Sequence, residues 1–198
     1  MENGAKERLS RRHVLLGAAG ATIAPAAAAA LPSLPDRALA RAVQQPATKD
    51  DERFMREAIA EAARGDYPFG TVIVKNGSIM ARGRNLGKHE KDPTAHGEMV
   101  AIRNFLAAHG PDQLKGTTLY TSGESCPMCM GAVVWCGISR VVFGASIAEL
   151  ATKIGQIMLT DSEIAGKTPF ADIGITGGVL AGVAGAVQVK RLAGAAHS

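Results

Sequence analysis

Three observations predict an α/β fold, with one mixed five-stranded sheet and helices on both of its faces. The first is a β-branched run at residues 71–74, followed by Asn76-Gly77 and a return run to Asn85, the mark of a two-residue hairpin. The second is a pair of amphipathic helical patterns, one before the hairpin and one after it. The third is an alternation of strand and helix patterns from residue 117 onward. A hairpin followed by strand–helix–strand units gives a mixed sheet covered by helices.

Each element has its own reason. Residues 51–64 place Phe54, Met55, Ala58, Ile59 and Ala62 at helical spacing with charges between them, and Gly65 ends that helix. Pro68-Phe69-Gly70 leads into the strand at 71–74, and the return strand runs over 78–85. Residues 86–93 form a polar loop. Residues 96–109 are helical, with Met99, Ile102, Phe105 and Leu106 as the buried stripe and Gly110-Pro111 as the stop. A third strand covers 117–121. Pro127, favoured in a first helical turn, opens a helix to Cys136. A fourth strand covers 140–144, a fifth covers 171–176, and a final helix spans 180–192, weakened by Gly182 and Gly185.

The chain has 198 residues, enough for one domain with a sizeable core. Residues 1–30 carry four basic and two acidic side chains, so the remainder holds 18 Lys/Arg against 16 Asp/Glu. A body so close to neutral disfavours a nucleic-acid partner, which calls for a strong basic footprint. Three cysteines do not make a disulfide framework, and Cys136 reads as a small buried hydrophobe. Arg11-Arg12 precede an apolar, Ala-rich run that Pro25 interrupts and that is too short for a stable membrane span of about 20 residues. Residues 1–30 therefore resemble a twin-arginine signal peptide. Residues 31–49, with Pro32, Pro35 and Pro46, read as a linker holding one helical turn, and the folded domain is expected over 50–198.

The chemistry concentrates in two stretches, Pro93-Thr94-Ala95-His96-Gly97-Glu98 and Ser125-Cys126-Pro127-Met128-Cys129. Two thiolates three residues apart at a helix start can bind one metal ion, and His96 supplies a third ligand. Zinc with three protein ligands keeps a fourth position for water, the catalytic arrangement. Glu98 is then placed to take a proton from that water and pass it on. A redox pair would leave His96 and Glu98 unexplained, and no second C-x-x-C exists to complete a structural zinc site. Glu98 also has a plainer use, as a first-turn acid favoured by the helix dipole.

The spacing H-x-E followed by C-x-x-C resembles zinc-dependent nucleobase deaminases. Over residues 51–144 the chain resembles the cytidine/deoxycytidylate deaminase superfamily, on the branch that holds guanine, cytosine and tRNA adenosine deaminases. The resemblance implies a three-layer α/β/α domain, one zinc ion and a homodimer. It implies His96, Cys126 and Cys129 as zinc ligands and Glu98 as the catalytic proton shuttle. Asn85 and the backbone at Gly97 would contact substrate. Phe69, Trp135 and Glu124 resemble pocket residues of the guanine deaminases. His-Gly-Glu is closer to fungal-type cytosine deaminase. Ser125 stands where the family has proline, which loosens the loop but removes no ligand.

The expected activity is hydrolytic deamination of a free nucleobase or nucleoside, guanine first. Deamination of cytosine or tRNA adenosine is the alternative, and a zinc-binding module without activity is the alternative of another class. Export through the twin-arginine machinery, to the periplasm or outside, is expected from residues 1–30.

Overall fold

The computed structural model describes residues 42–195, so the signal peptide expected at 1–30 and the first part of the expected linker lie outside the described residues. Within the described residues the chain runs β1 (Ala42–Gln44), α1 (Lys49–Ala62), β2 (Gly70–Lys75), β3 (Ser78–Arg84), α2 (Gly97–His109), β4 (Thr118–Gly123), α3 (Pro127–Cys136), β5 (Arg140–Ala145), α4 (Ile147–Ala151), α5 (Asp161–Ala165), β6 (Ile173–Thr176) and α6 (Ala181–Ala195). A short 3-10 turn, Pro111–Leu114, follows α2.

One mixed sheet has the order β1-β6-β5-β4-β2-β3. β1, β6, β5 and β4 pair in parallel, while β2 runs antiparallel to both β4 and β3. Six strands replace the expected five. The extra one, β1, falls in the stretch read as a linker, where Ala42, Val43 and Gln44 pair with Ile173, Gly174 and Ile175. Three residues at a sheet edge carry too short an alternation to stand out in a sequence. The hairpin forms where Asn76-Gly77 placed it. Both turn residues have positive φ, 49° and 73°, as a type I′ turn requires.

Period-two alternation sorts the strands onto two cores. Ile73, Leu119, Val141 and Phe143 face α2 and α3, where they meet Ile102, Phe105, Met130 and Val133. Val72, Val74, Tyr120 and Val142 face the other way, onto Phe54, Met55 and Ala58 of α1 and Ala184 of α6. This is the three-layer α/β/α arrangement. Asp51 pins the second layer. Its carboxylate accepts from Arg140 Nη1 at 2.7 Å and Nη2 at 2.9 Å, from the Tyr120 hydroxyl at 2.9 Å and from the Thr48 amide at 2.7 Å. No helix among the described residues is long and apolar enough to cross a membrane.

Close backbone contact sets the site's position. A side chain at Gly83 in β3 would collide with Gly97 O and the backbone of Ala101, so glycine there lets the start of α2 lie against the sheet. α2 and α3 each follow a strand and start at the same end of the sheet, and both metal-bearing motifs sit at those starts.

Candidate active site and metal centre

His96 is the N-cap of α2 and Cys126 the N-cap of α3, both with extended backbone. Pro127 at the first helical position of α3 starts the turn that brings Cys129 round beside Cys126. His96 Nδ1 lies 3.6 Å from Cys126 Sγ and 3.6 Å from Cys129 Sγ. The three donor atoms all fall within 4.8 Å of one another, the one such group among the described residues. Tetrahedral zinc, with Zn–S about 2.3 Å and Zn–N about 2.05 Å, requires a nitrogen–sulfur separation of about 3.6 Å. The donor set therefore fits zinc in both type and spacing.

Protons are distributed unevenly over these donors. The Cys126 thiol is held down at about 4, first by the hydrogen bond from Cys129 and, against burial, by His96. Cys129 is pushed far up, by that same bond and by burial. The bond to Cys126 raises His96. In the protein without metal the three donors thus share protons that a metal ion must displace.

A cleft of about 800 Å³ opens over this centre. His96, Cys126 and buried Glu98 line it together. Glu98 is 5% exposed, and burial raises its carboxyl above the usual carboxylate range. Asn85 lines the same cleft. Its Oδ1 accepts from the Gly87 amide at 3.1 Å, and its Nδ2 has no partner among the described residues. Phe69 lines the wall between them. Gly97 is packed so that a methyl group there would lie 3.1 Å from Phe69 O and 3.2 Å from Thr71 Oγ1.

Of the two remaining expected substrate residues, Trp135 lies outside the cleft and Glu124 lines it. Trp135 is 78% exposed and absent from the cleft; its ring packs on Phe170 with centroids 5.0 Å apart, over a separate shallow hollow. At about 100° per residue, Trp135 lies some 200° round α3 from buried Val133, on the outer side of the helix. Glu124 reaches the cleft, but both carboxylate oxygens are already engaged. One accepts from the Ile147 amide at 2.7 Å and the other from the Asp161 amide at 3.0 Å. Glu124 thereby ties the first residue of α4 and the first residue of α5 to the metal loop. The segment between those two points supplies Leu150, Ile154 and Ile157 to the cleft wall.

Ser125, at the position of the family's proline, is fully buried with its hydroxyl unpartnered. Burial of this loop holds Cys126 in place without the ring. Asp161 is also fully buried, with neither carboxylate oxygen hydrogen-bonded; burial, then the charges of Glu124 and Glu98, push its carboxyl well up. Sequence reasoning missed Tyr67, Lys88, Lys91 and Ile154–Ile157 as cleft residues. They lie in loops with no periodicity, and only the assembled fold brings them together.

Residues 48–145 match the cytidine and deoxycytidylate deaminase zinc-binding region. A tRNA-specific adenosine deaminase of Bacillus subtilis is 48% identical over 99 residues, which are 48% of this chain and 62% of that protein. The chain thus spans less than two thirds of that relative's length. Guanine deaminase of Bacillus subtilis is 42% identical over 105 residues, 50% of this chain and 67% of that protein. A solved structure from a study of A-to-I editing by tRNA:A34 deaminases superposes with a TM-score of 0.60 at 28% identity, over 68% of this chain and 98% of that one. With its donor spacing matched to zinc and its fold shared with these relatives, the chain belongs to the cytidine and deoxycytidylate deaminase zinc-binding family.

Proposed function

We propose that the protein hydrolytically deaminates an amino-bearing nucleobase, free or carried on a sugar, with guanine as the first substrate to test. The observation that carries this reading is the His96, Cys126 and Cys129 donor set opening into the same cleft as buried Glu98. Zinc held by that set supplies a Lewis acid that brings the pKa of water down to about 7. In the reaction a C–O bond forms at the ring carbon, the C–N bond breaks and ammonia leaves.

Glu98 moves the protons. It takes one from the attacking water, delivers one to the ring nitrogen and helps protonate the departing amine. Burial raises its carboxyl above the usual carboxylate range, which favours a carboxyl that takes up a proton and returns it. Asn85 Nδ2 is free to donate to a ring acceptor, and Phe69 offers an apolar wall beside the base. The packed backbone of Gly97 keeps the first turn of α2 rigid beneath the substrate.

Guanine is favoured by the relative named guanine deaminase and by Phe69 in the cleft. Trp135, exposed elsewhere, lends no support. Adenosine in tRNA is the second reading, favoured by the 48% identical relative named for that activity. Homodimer assembly belongs to the same proposal, and the exposed Trp135–Phe170 pair offers an apolar face for it. Ammonia release by zinc-loaded protein is the test, with guanine, cytosine, adenine, their nucleosides and a tRNA anticodon stem-loop as substrates. Release from guanine supports the first choice. Release from another member keeps the deaminase reading and discards guanine, and silence across the panel with zinc bound rejects the reading.

A further inference from the structure

The cleft is larger than a purine needs and is charged in an ordered way. Its volume of about 800 Å³ sits in the upper part of the range of about 300–1,000 Å³ typical of small-molecule sites. The acidic side chains lining it, Glu98 and Glu124, are both buried. Lys88 and Lys91 line it as well, and both are exposed. The acidic residues of the lining are thus buried, whereas its exposed charged residues, Lys88 and Lys91, are both cations.

The lysine loop is built rather than loose. Asp66 Oδ2 accepts from the backbone amides of Lys88 at 2.9 Å and His89 at 2.8 Å. The Glu90 amide donates to Leu86 O at 2.8 Å and the Asp92 amide to Gly87 O at 3.1 Å. Lys91 takes a positive φ of 53° within this frame. Of the acids nearby, Glu90 is exposed and lies outside the cleft lining, while Asp92 and Asp66 are engaged. Asp92 pairs with Arg103 at 3.3 Å and accepts from Thr94, and Asp66 holds the loop backbone. Lys88 Nζ lies 5.2 Å above the ring of Tyr67, another cleft residue, and Lys91 has no ion-pair partner among the described residues.

We infer that Lys88 and Lys91 form a phosphate subsite, and that the preferred substrate is a purine nucleoside 5′-monophosphate rather than a free base. This inference rests on the deaminase reading above. The base would enter toward Asn85 and Glu98, the sugar would lie along Tyr67 and Phe69, and the phosphate would stop at the two ammonium groups. Lysine binds phosphate as a point charge, and two such charges at a cleft mouth also draw an anion inward. A single phosphate fits better than a nucleic-acid strand. Residues 31–198 hold 18 basic against 16 acidic side chains, too even a balance for a strand-tracking stripe.

The test compares kcat/KM of the zinc-loaded protein for guanine, guanosine and guanosine 5′-monophosphate, with the adenine and cytosine series and the tRNA anticodon stem-loop alongside. Wild type and a Lys88→Gln, Lys91→Asn double variant are measured together. Asparagine tolerates the positive φ at position 91, so the variant removes charge without straining the loop. The expected result is a monophosphate preference that falls about tenfold in the variant and also falls with added salt. Equal kcat/KM for nucleoside and monophosphate in the wild type would overturn the subsite and leave the deaminase reading standing. Ammonia release from the stem-loop ahead of the monophosphate would overturn it in favour of a strand. If nothing in the panel is deaminated, the deaminase reading fails, and equilibrium binding of guanosine 5′-monophosphate against guanosine decides the subsite. Tighter binding of the monophosphate, lost in the double variant, sustains it; equal binding rejects it.

Discussion

Replacing Glu124 by Gln separates a positioning role from substrate contact. The Glu124 carboxylate accepts two buried backbone amides, from Ile147 at 2.7 Å and Asp161 at 3.0 Å. A glutamine can keep one of these bonds through its oxygen. Its NH₂ then faces the other amide, which is left without an acceptor. Charge-assisted bonds contribute about 1.5–3 kcal/mol each, and an orphaned buried donor costs about 1–3 kcal/mol. Net destabilisation of about 3 kcal/mol follows, a fall in Tm of about 6–12 °C for a domain of this size. The assay is thermal and urea unfolding of zinc-loaded protein, with hydrogen exchange read at the Ile147 and Asp161 amides. Both amides should lose protection, and KM should rise more than kcat falls, because the cleft wall between α4 and α5 is no longer tied to the metal loop. Unchanged stability and protection together with a collapse of kcat would refute the argument and place Glu124 on the substrate.

Other expectations follow from the same geometry. Burial acts to raise Asp51, but the hydrogen bonds from Arg140, Thr48 and Tyr120 outweigh it and hold the carboxyl at about 2 against an ordinary 3.8. A depressed carboxylate pKa stabilises the fold above the ordinary value, and that contribution, about 2 kcal/mol, is lost as pH falls from 3.8 toward 2, as acid titration of unfolding would show. Asp51→Asn, which leaves Arg140 largely buried and unpaired, should cost about 3–5 kcal/mol in urea unfolding. Cys129 must lose a proton to bind metal, so zinc affinity measured by chelator competition should weaken as pH falls, about tenfold per pH unit for each proton displaced. Gly97→Ala crowds Phe69 O and Thr71 Oγ1 by a few tenths of an ångström, so turnover should drop while the unfolding free energy falls by only about 1 kcal/mol.

Local signals carried most of the fold. Asn76-Gly77 marked its hairpin because a type I′ turn needs two residues that accept positive φ. Pro127 and the apolar run after it marked α3 from its first residue to its last. β1 escaped because three residues in parallel pairing depend on a partner about 130 positions away, and no local pattern encodes that. In the site, His96, Glu98, Cys126 and Cys129 were legible because each motif is a few residues long and sits at a helix start. Trp135 misled because residue type alone does not say which side of a helix faces the cleft. The Glu124 carboxylate accepts from the Asp161 backbone amide 37 positions away, and such clasps leave no mark in side-chain spacing.

We propose Glu98 as the group that moves protons beside a zinc ion held by His96, Cys126 and Cys129. The most direct test is ammonia release by the wild type and Glu98→Ala at equal, measured zinc content, on whichever substrate the wild type accepts. One zinc per chain is expected in both proteins, with turnover in the wild type and a loss of about a thousandfold in the variant. Undiminished turnover by Glu98→Ala, with its zinc in place, would contradict it.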